Sequence, residues 1–594
     1  MLNNKLSKKV LIGILLIPFS LFIFRLADLQ ILQGNSNLIR SSNLANLSTE
    51  LKPKRGLFFD SNNNLLVKNK DTFTIVSRVT KEYSPELNDF LDAVESKGVQ
   101  LVEPKEKILS QLDNNRGIIL ARYIDSDTLY TIQDLISGIK DIYVIPSNSR
   151  VYLHPYEYSH ILGYIGSVTN EELEQGYSST DVVGKYKLEL SLEQFLKGAK
   201  GEKRTINGID ITEDSMPGDN VYLTINTDWQ TNLYNILGRE SDGLGAAGGA
   251  GVIVEDSTGK IKSLVSYPGI DINQFSEYVS QDYYNQITSD RRKPLLDKAI
   301  SQPEAPGSTI KLLTAYYLLE NRVIDSNTNY FSNRCVNLGS GYEFCEFGKL
   351  FYGNMNIERA LYKSSNLFFC NYMIGEGNGT NYSQGLSNIA NLFNIGEKTG
   401  IDLPGELSGV VDSPKYKQER VNDNWYDGDT CNLAIGQGAN LITPLQMAMV
   451  AATISNDGKY YQPYIIEEIK DIFGNIKLSN SPSIKKEIPF NQSTIDLIKS
   501  GMEQVASNSD SAMYYFLGDS PGNPRVKTGT AEVYENTGNG YEYRTHGWIV
   551  GTFDYQDESY SFAFHLSYGG GGFYIGKVLQ VFLNCIYSNY TTCE

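Results

Sequence analysis

Apolar and polar positions alternate in three distinct regimes along the chain. Residues 10–24 form an apolar run broken only by Gly13, Pro18 and Ser20. Residues 45–215 mix short alternating stretches, such as 72–79, with helically spaced ones, such as 85–96, so short strands and helices are expected there. After a polar, turn-rich stretch at 208–220 the pattern sharpens. Residues 221–226 alternate like a strand, and 250–256 and 260–266 are apolar strands joined by Ser257-Thr258-Gly259, a hairpin signal. Residues 300–510 are mostly helical in character, with Gly and Pro breaks. Strands return at 525–532, 546–553 and 560–567, and a helix at 575–587 follows the glycine run 569–572. Strands at both ends with helices between them predict one antiparallel sheet, closed by the two ends of a domain and flanked by a helical lobe. The main domain boundary falls near Pro217.

The first apolar run is short against the ~20 residues that cross a bilayer. Lys9 and Arg25 can snorkel, and Leu26 and Ala27 lengthen it. No clear small-x-small cleavage site follows Phe24, which favours a retained anchor over a removed signal peptide. Lys5, Lys8 and Lys9 precede the run, so the N-terminus is expected in the cytoplasm and all that follows outside it. The expected organisation is a cytoplasmic tail at 1–9, a single transmembrane anchor at 10–27, a pedestal at 28–216 and the main domain at 217–594.

With 594 residues the chain is too long for one core, and 41% hydrophobic with 20% charged residues is ordinary for globular domains. A net charge of -17 argues against a nucleic-acid partner. The 40 tyrosines read as compositional bias. Six cysteines do not make a disulfide scaffold in so long a chain. Cys335 with Cys345, or Cys585 with Cys593, could close a small loop; Cys370 and Cys431 read as buried, unpaired thiols. There is no C-x-x-C and only four histidines, so no metal site is expected.

Candidate chemistry lies beyond residue 300. In Pro306-Gly307-Ser308-Thr309-Ile310-Lys311, a Ser and a Lys three apart at a helix start share a face, bringing an amine towards a hydroxyl nucleophile. Free backbone N–H groups at that start favour a developing oxyanion. Ser308 could instead be a simple N-cap. Ser364-Ser365-Asn366 follows on a loop, where Ser364 and Asn366 could merely form a helix turn. Lys527-Thr528-Gly529-Thr530 sits on the first terminal strand. There Gly529 leaves room for a substrate along the strand edge, and Lys527 with the Thr528 and Thr530 hydroxyls suits a carboxylate. The bland alternative is a solvated strand lysine. Three such motifs in this order are much harder to dismiss than any one.

With these three motifs the chain resembles the class B penicillin-binding proteins of the penicillin-recognising serine transferase superfamily. Lys527 to Glu532 followed by His546-Gly547-Trp548 is similar to that family's strand pair. Thr399 to Glu406, and Ile435-Gly436-Gln437-Gly438 through Thr443-Pro444-Leu445-Gln446, are similar to its internal landmarks. Arg25-Leu26 and Leu29-Gln30 resemble its exit from the membrane, and Arg55-Gly56 with Asp60 its first pedestal motif. Departures fall mainly in the pedestal: Ser61 and Asn63 replace an Arg and a Gly, and Lys187 replaces a Gly before Leu188-Glu189. Ile310 stands where Phe is common.

The resemblance implies an α/β (α+β) transpeptidase domain on a pedestal, with one transmembrane helix in the cytoplasmic membrane. It implies peptidoglycan stem peptides ending in D-Ala-D-Ala as substrate, β-lactams as covalent inhibitors, and no cofactor. Ser308 would be acylated and Lys311 would be the base, made neutral by burial and by the like charge of Lys527. Ser364 would relay a proton, Asn366 would orient Lys311 and the substrate amide, and the N–H groups of Ser308 and Thr530 would form the oxyanion hole. Trp425 through Gly428-Asp429-Thr430, with Ile435 to Gly438 and the Cys335/Cys345 segment, look more like the elongation type than the division type. A membrane glycan polymerase of the rod-shape type is then the expected partner. Two rivals fit less well. A β-lactamase needs a deacylating group not identifiable here, and a β-lactam sensor or dead scaffold would carry extra spans or lack a motif residue.

Overall fold

Strands from both ends of the region after residue 217 build one five-stranded antiparallel sheet. A computed structural model describes residues 47–594 except 79–83, 113–117, 207–208, 278, 340, 376–379, 537–539, 589–592 and 594. In chain order its main elements are α1 (Thr227–Gly243), β1 (Gly249–Glu255), β2 (Ile261–Tyr267), α2 (Lys311–Glu320), α3 (Ile357–Tyr362), α4 (Asn366–Met373), α5 (Asp427–Ala434), α6 (Pro444–Ser455), α7 (Gln492–Ser507), β3 (Arg525–Asn536), β4 (Tyr541–Tyr555), β5 (Glu558–Leu566) and α8 (Gly572–Tyr587). The sheet order is β2-β1-β5-β4-β3, so β1 pairs with β5 across three hundred residues of sequence and β3 is an edge strand.

Each face of the sheet is covered. On one, Trp229, Leu233 and Leu237 of α1 and Val578, Leu579 and Phe582 of α8 pack on Ile253, Phe553, Phe562 and Phe564. On the other, α6 is buried nearly all round, as a central helix without a polar face must be. α1 was not anticipated from sequence, because Gln230, Asn232, Glu240 and Ser241 are buried on it and blur its apolar stripe. Asn226 starts it by accepting the Trp229 N–H at 3.1 Å. The 300–510 region is helical, as expected, but also carries small hairpins at Tyr330–Asn333 with Phe351–Met355 and at Cys335–Asn337 with Glu343–Cys345.

The chain divides into two compact units. One holds the described residues up to 55 together with those of 197–218, where Leu47–Leu51, Gly201–Ile206 and Ile209–Glu213 form a three-stranded antiparallel sheet. The other holds 56–196 and 219–594. Within it, Phe58–Phe59 pairs in parallel with Asn220–Leu223, which pairs with Ile466–Lys470, so one sheet runs through both sides of residue 217. The expected anchor at 10–27 and the exit motif at 25–30 lie outside the described residues. Among the described residues no helix is long and apolar enough to cross a membrane.

Two of the pedestal departures have a physical resolution. Asn63 and Lys187 both adopt left-handed backbone, with φ of 63° and 49°, the conformation that glycine accepts freely. Asparagine tolerates it at small cost. Lysine does not, but the Lys187 side chain is 2% exposed and donates to Asp297 Oδ2 at 2.6 Å and to the Pro404 carbonyl at 2.8 Å. The contacts at this position are therefore replaced rather than lost.

The cysteines correct one expectation. Cys370 and Cys431 are not free thiols; they are joined in a disulfide, with Cα atoms 4.4 Å apart. Their separation of 61 residues hides the pairing in sequence, whereas packing α4 against α5 brings them together. Cys335–Cys345 and Cys585–Cys593 are bonded as well.

Candidate active site

Ser308 lies in a single 3-10 turn, Gly307–Ile310, that runs directly into α2. The Lys311 N–H closes on the Ser308 carbonyl, which puts the two side chains one turn apart on one face. Ser308 is half-exposed, whereas Lys311 is wholly buried. The turn is clamped by backbone on two sides. Gly307 N–H donates to the Gly436 carbonyl at 3.0 Å, and a Cβ on Gly436 would fall 2.1 Å from the Gly307 oxygen. A Cβ on Gly529 would fall 2.6 Å from the Pro306 oxygen and 3.2 Å from Trp548 Cβ. Gly529 thus lets β3 pack on the Ser308 turn; the space its missing side chain leaves is filled by the protein's own chain, not held open for a ligand.

Ser364 occupies the break between α3 and α4 in left-handed backbone, with φ of 56°. Ser365 caps α4, its Oγ accepting the Phe368 N–H at 3.1 Å. This conformation aims Ser364 and Asn366 at both lysines. Lys311 Nζ donates to Asn366 Oδ1 at 2.8 Å and to the Ser364 carbonyl at 2.7 Å, with Ser364 Oγ at 3.4 Å. Lys527 Nζ donates to Ser364 Oγ at 2.8 Å and to the Thr528 carbonyl at 2.9 Å. No hydrogen bond joins Lys311 Nζ to Ser308 Oγ among the described residues, and such contacts commonly tighten only when substrate binds.

Two ammonium groups at one hydroxyl, both out of water, disfavour double protonation. Burial pulls the Lys311 amine down to about 7, against an upward pull from the Glu346 carboxylate. Lys527 is held well below its ordinary range by burial and then by Lys311. The neutral form of the Lys311 amine is therefore accessible near neutral pH.

Lys527, Thr528, Gly529 and Thr530 lie on β3, whose outer edge has no strand partner among the described residues. Thr528 and Thr530 are half-exposed, and Thr530 Oγ1 accepts the Gly572 N–H at 2.9 Å at the start of α8. An unpaired edge beside the Ser308 turn is a place where an extended peptide can add as a further strand. All eight residues singled out from sequence therefore converge on one locus.

Sequence reasoning missed the ties that hold this locus. Trp548 Nε1–H donates to the Ala305 carbonyl at 2.9 Å, and His546 Nε2 lies 3.0 Å from Glu304 Oε2, both fixing the segment that leads into Ser308. Glu346 was missed as well, since a lone glutamate after a cysteine carries no sequence signal. Other motifs prove to be joints: Glu406 accepts the N–H groups of Thr399 and Gly400, and Thr443 with Gln446 forms a reciprocal cap on α6. Cys335, Glu343 and Cys345 lie close enough to share an ion, but the two sulfurs are bonded to each other.

Residues 249–587, more than half of the chain, match the penicillin binding protein transpeptidase domain, and residues 50–223 match the penicillin-binding protein dimerisation domain. The chain belongs to the class B penicillin-binding proteins. Among similar members of the family, peptidoglycan D,D-transpeptidase MrdA of Escherichia coli K12 is 26% identical over 617 residues, covering 97% of this chain and 93% of that one. MrdA of Salmonella typhimurium LT2 is 25% identical over 573 residues, covering 88% and 85%. A penicillin-binding protein (PBP2) solved in complex with MreC from Helicobacter pylori superposes with a TM-score of 0.77 at 25% identity, covering 92% of this penicillin-binding protein and 99% of that chain.

Proposed function

We propose that Ser308 is the acylated nucleophile of a peptidoglycan D,D-transpeptidase of the elongation type and Lys311 its general base. The transpeptidase activity follows from the family and from relatives named for it over nearly their whole length. The observation that carries the residue roles is the ring of contacts Lys311–Asn366, Lys311–Ser364 and Ser364–Lys527 beside the Ser308 turn. In this mechanism Ser308 Oγ attacks the carbonyl of the penultimate D-Ala and its proton passes to neutral Lys311 Nζ. The tetrahedral oxyanion is met by the N–H groups of Ser308 and Thr530. Ser364 passes a proton to the leaving amine, the C–N bond breaks, and the last D-Ala departs. The amine of a second stem then attacks the ester, gives up its proton along the same route, and restores the Ser308 hydroxyl.

Lys527, Thr528 and Thr530 receive the terminal carboxylate along the β3 edge. An arriving carboxylate favours protonated Lys527, and that charge in turn favours neutral Lys311. β-Lactams, which carry a carboxylate beside a strained amide, acylate Ser308 by the same steps.

Residues 10–27 form a single anchor in the cytoplasmic membrane, residues 28–216 the pedestal and 217–594 the transpeptidase domain, which acts outside the cytoplasm. The apolar run with its basic flank supports the anchor, and the two family matches support the division. The partner is a membrane glycan polymerase of the rod-shape type. The H. pylori relative in complex with MreC supports a place in such an elongation assembly.

The test is turnover. With glycan chains polymerised from lipid-linked disaccharide pentapeptide, the full chain should yield cross-linked stems with one D-Ala released per cross-link. Ser308→Ala should yield neither. Cross-links made equally well by the Ser308→Ala protein would overturn the assignment.

A further inference from the structure

Glu346 is buried, 2% exposed, and its carboxylate stands at the start of α4 directly behind the Ser364-Ser365-Asn366 motif. Every contact it makes leads into that motif or fixes its own position. Oε1 accepts from Ser365 Oγ at 2.5 Å, from Ser332 Oγ at 2.7 Å and from the Leu367 N–H at 3.4 Å. Oε2 accepts the Asn366 N–H at 2.6 Å. One residue earlier, the Cys345 carbonyl accepts from Asn366 Nδ2 at 3.1 Å, so both ends of the Asn366 amide are spoken for: Nδ2 by Cys345 and Oδ1 by Lys311. The hairpin that delivers Cys345 and Glu346 is closed by the Cys335–Cys345 disulfide.

We propose that Glu346 is a positioning residue for the acylation step: its carboxylate, held on the disulfide-closed hairpin, fixes the backbone of Ser365 and Asn366 and so the orientation of Asn366 and Ser364 towards Lys311. This rests on Ser308 and Lys311 acting as nucleophile and base. Three features set Glu346 apart from an ordinary helix cap. It binds two successive N–H groups of α4 and the capping hydroxyl at once, its charge is compensated by the helix start, and among the described residues it is the one carboxylate that acts on Lys311. The titratable groups facing Lys311 are Lys527 from β3 and Glu346 from the hairpin, and the Phe369 ring lies 5.8 Å from its Nζ. Glu346 also faces Tyr352, whose phenol is raised to about 12 by burial first and then by this carboxylate.

Since Glu346 raises the Lys311 amine, removing its charge should lower that amine further. The neutral form then appears at lower pH. Glu346→Gln should therefore do two separable things: lower the plateau of acylation, on the order of ten- to a hundredfold for a displaced Asn366, and move the acid limb of the pH profile to lower pH. A loss of folded protein alone would scale the profile without moving the limb.

The experiment measures second-order acylation of the full chain by a fluorescent penicillin from pH 5 to 9, with Ser308→Ala as blank. Wild type, Glu346→Gln and Ser332→Ala are compared; Ser332→Ala removes one anchor of the carboxylate and leaves the charge. The proposal expects Glu346→Gln to show the lower plateau with the shifted limb, and Ser332→Ala a several-fold lower plateau with the limb unmoved. Should Glu346→Gln not fold, Ser332→Ala alone decides. Wild-type plateau and limb in the folded variants would overturn the role of Glu346. A wild-type chain that takes no label, or a Ser308→Ala chain that takes it, would overturn the underlying assignment instead.

Discussion

Lys311 and Lys527, 216 residues apart in sequence, both reach the hydroxyl of Ser364, at 3.4 and 2.8 Å. Neither lysine has a carboxylate within ion-pair distance among the described residues. Burial disfavours the charge on each, Glu346 partly offsets this at Lys311, and Lys311 lowers Lys527 further. In the proposed mechanism, Lys311 must lose its proton before it can take that of Ser308.

The first prediction concerns the base. Lys311→Arg keeps charge and approximate length but stays protonated at any working pH. If neutral Lys311 takes the Ser308 proton, the variant should lose on the order of 10²–10⁴-fold or more in acylation. Wild-type acylation should rise with pH through about 7, where the buried amine loses its proton. Were Lys311 only a structural cation, the arginine would cost far less and the wild-type profile would be flat there. Stopped acylation assays from pH 6 to 9 separate the two.

The second concerns Lys527. Replacing it with Ala should slow reagents that carry a carboxylate by much more than a reagent without one, because a point charge in a cleft is the natural carboxylate anchor. Loss of its influence on the shared hydroxyl should affect both reagents alike. Comparing two β-lactams that differ only in esterification of the carboxylate reads the ratio directly, and equal losses would remove the anchoring role.

The third concerns Lys187, whose left-handed backbone is offset by its buried pair with Asp297. Asp297 also accepts from Ser266 Oγ at 3.0 Å and from the Ala299 N–H at 3.2 Å, so it stays in place when its partner is removed. Lys187→Gly relieves the backbone but strands a buried carboxylate, and should destabilise by about 3 kcal/mol. Adding Asp297→Asn should restore most of that. Urea unfolding of the single and double variants checks the coupling, and an additive pair would refute it.

How much of this was legible in the sequence depends on the range of the interaction. The sheet was legible because 250–256, 260–266 and the three terminal strands each carry their own apolar pattern. The three motifs were legible because each is a short run with a chemical identity. What stayed hidden was set by neighbours distant in sequence. Gly529 looked like clearance for a ligand because nothing local places the Pro306 carbonyl against it. Lys187 read only as a departure from the family's glycine, because its partner Asp297 lies 110 residues away. The disulfide between Cys370 and Cys431 depends on helix packing that no spacing rule encodes, and α1 was obscured by its own buried polar residues.

In the proposed mechanism one serine carries the acyl group. The direct measurement is peptide mapping by mass spectrometry after brief exposure of the full chain to benzylpenicillin. A single penicilloyl adduct per chain is expected, on the peptide containing Ser308, and none on a folded Ser308→Ala protein. An adduct on any other residue of the native chain, or stoichiometric acylation of Ser308→Ala, would contradict it.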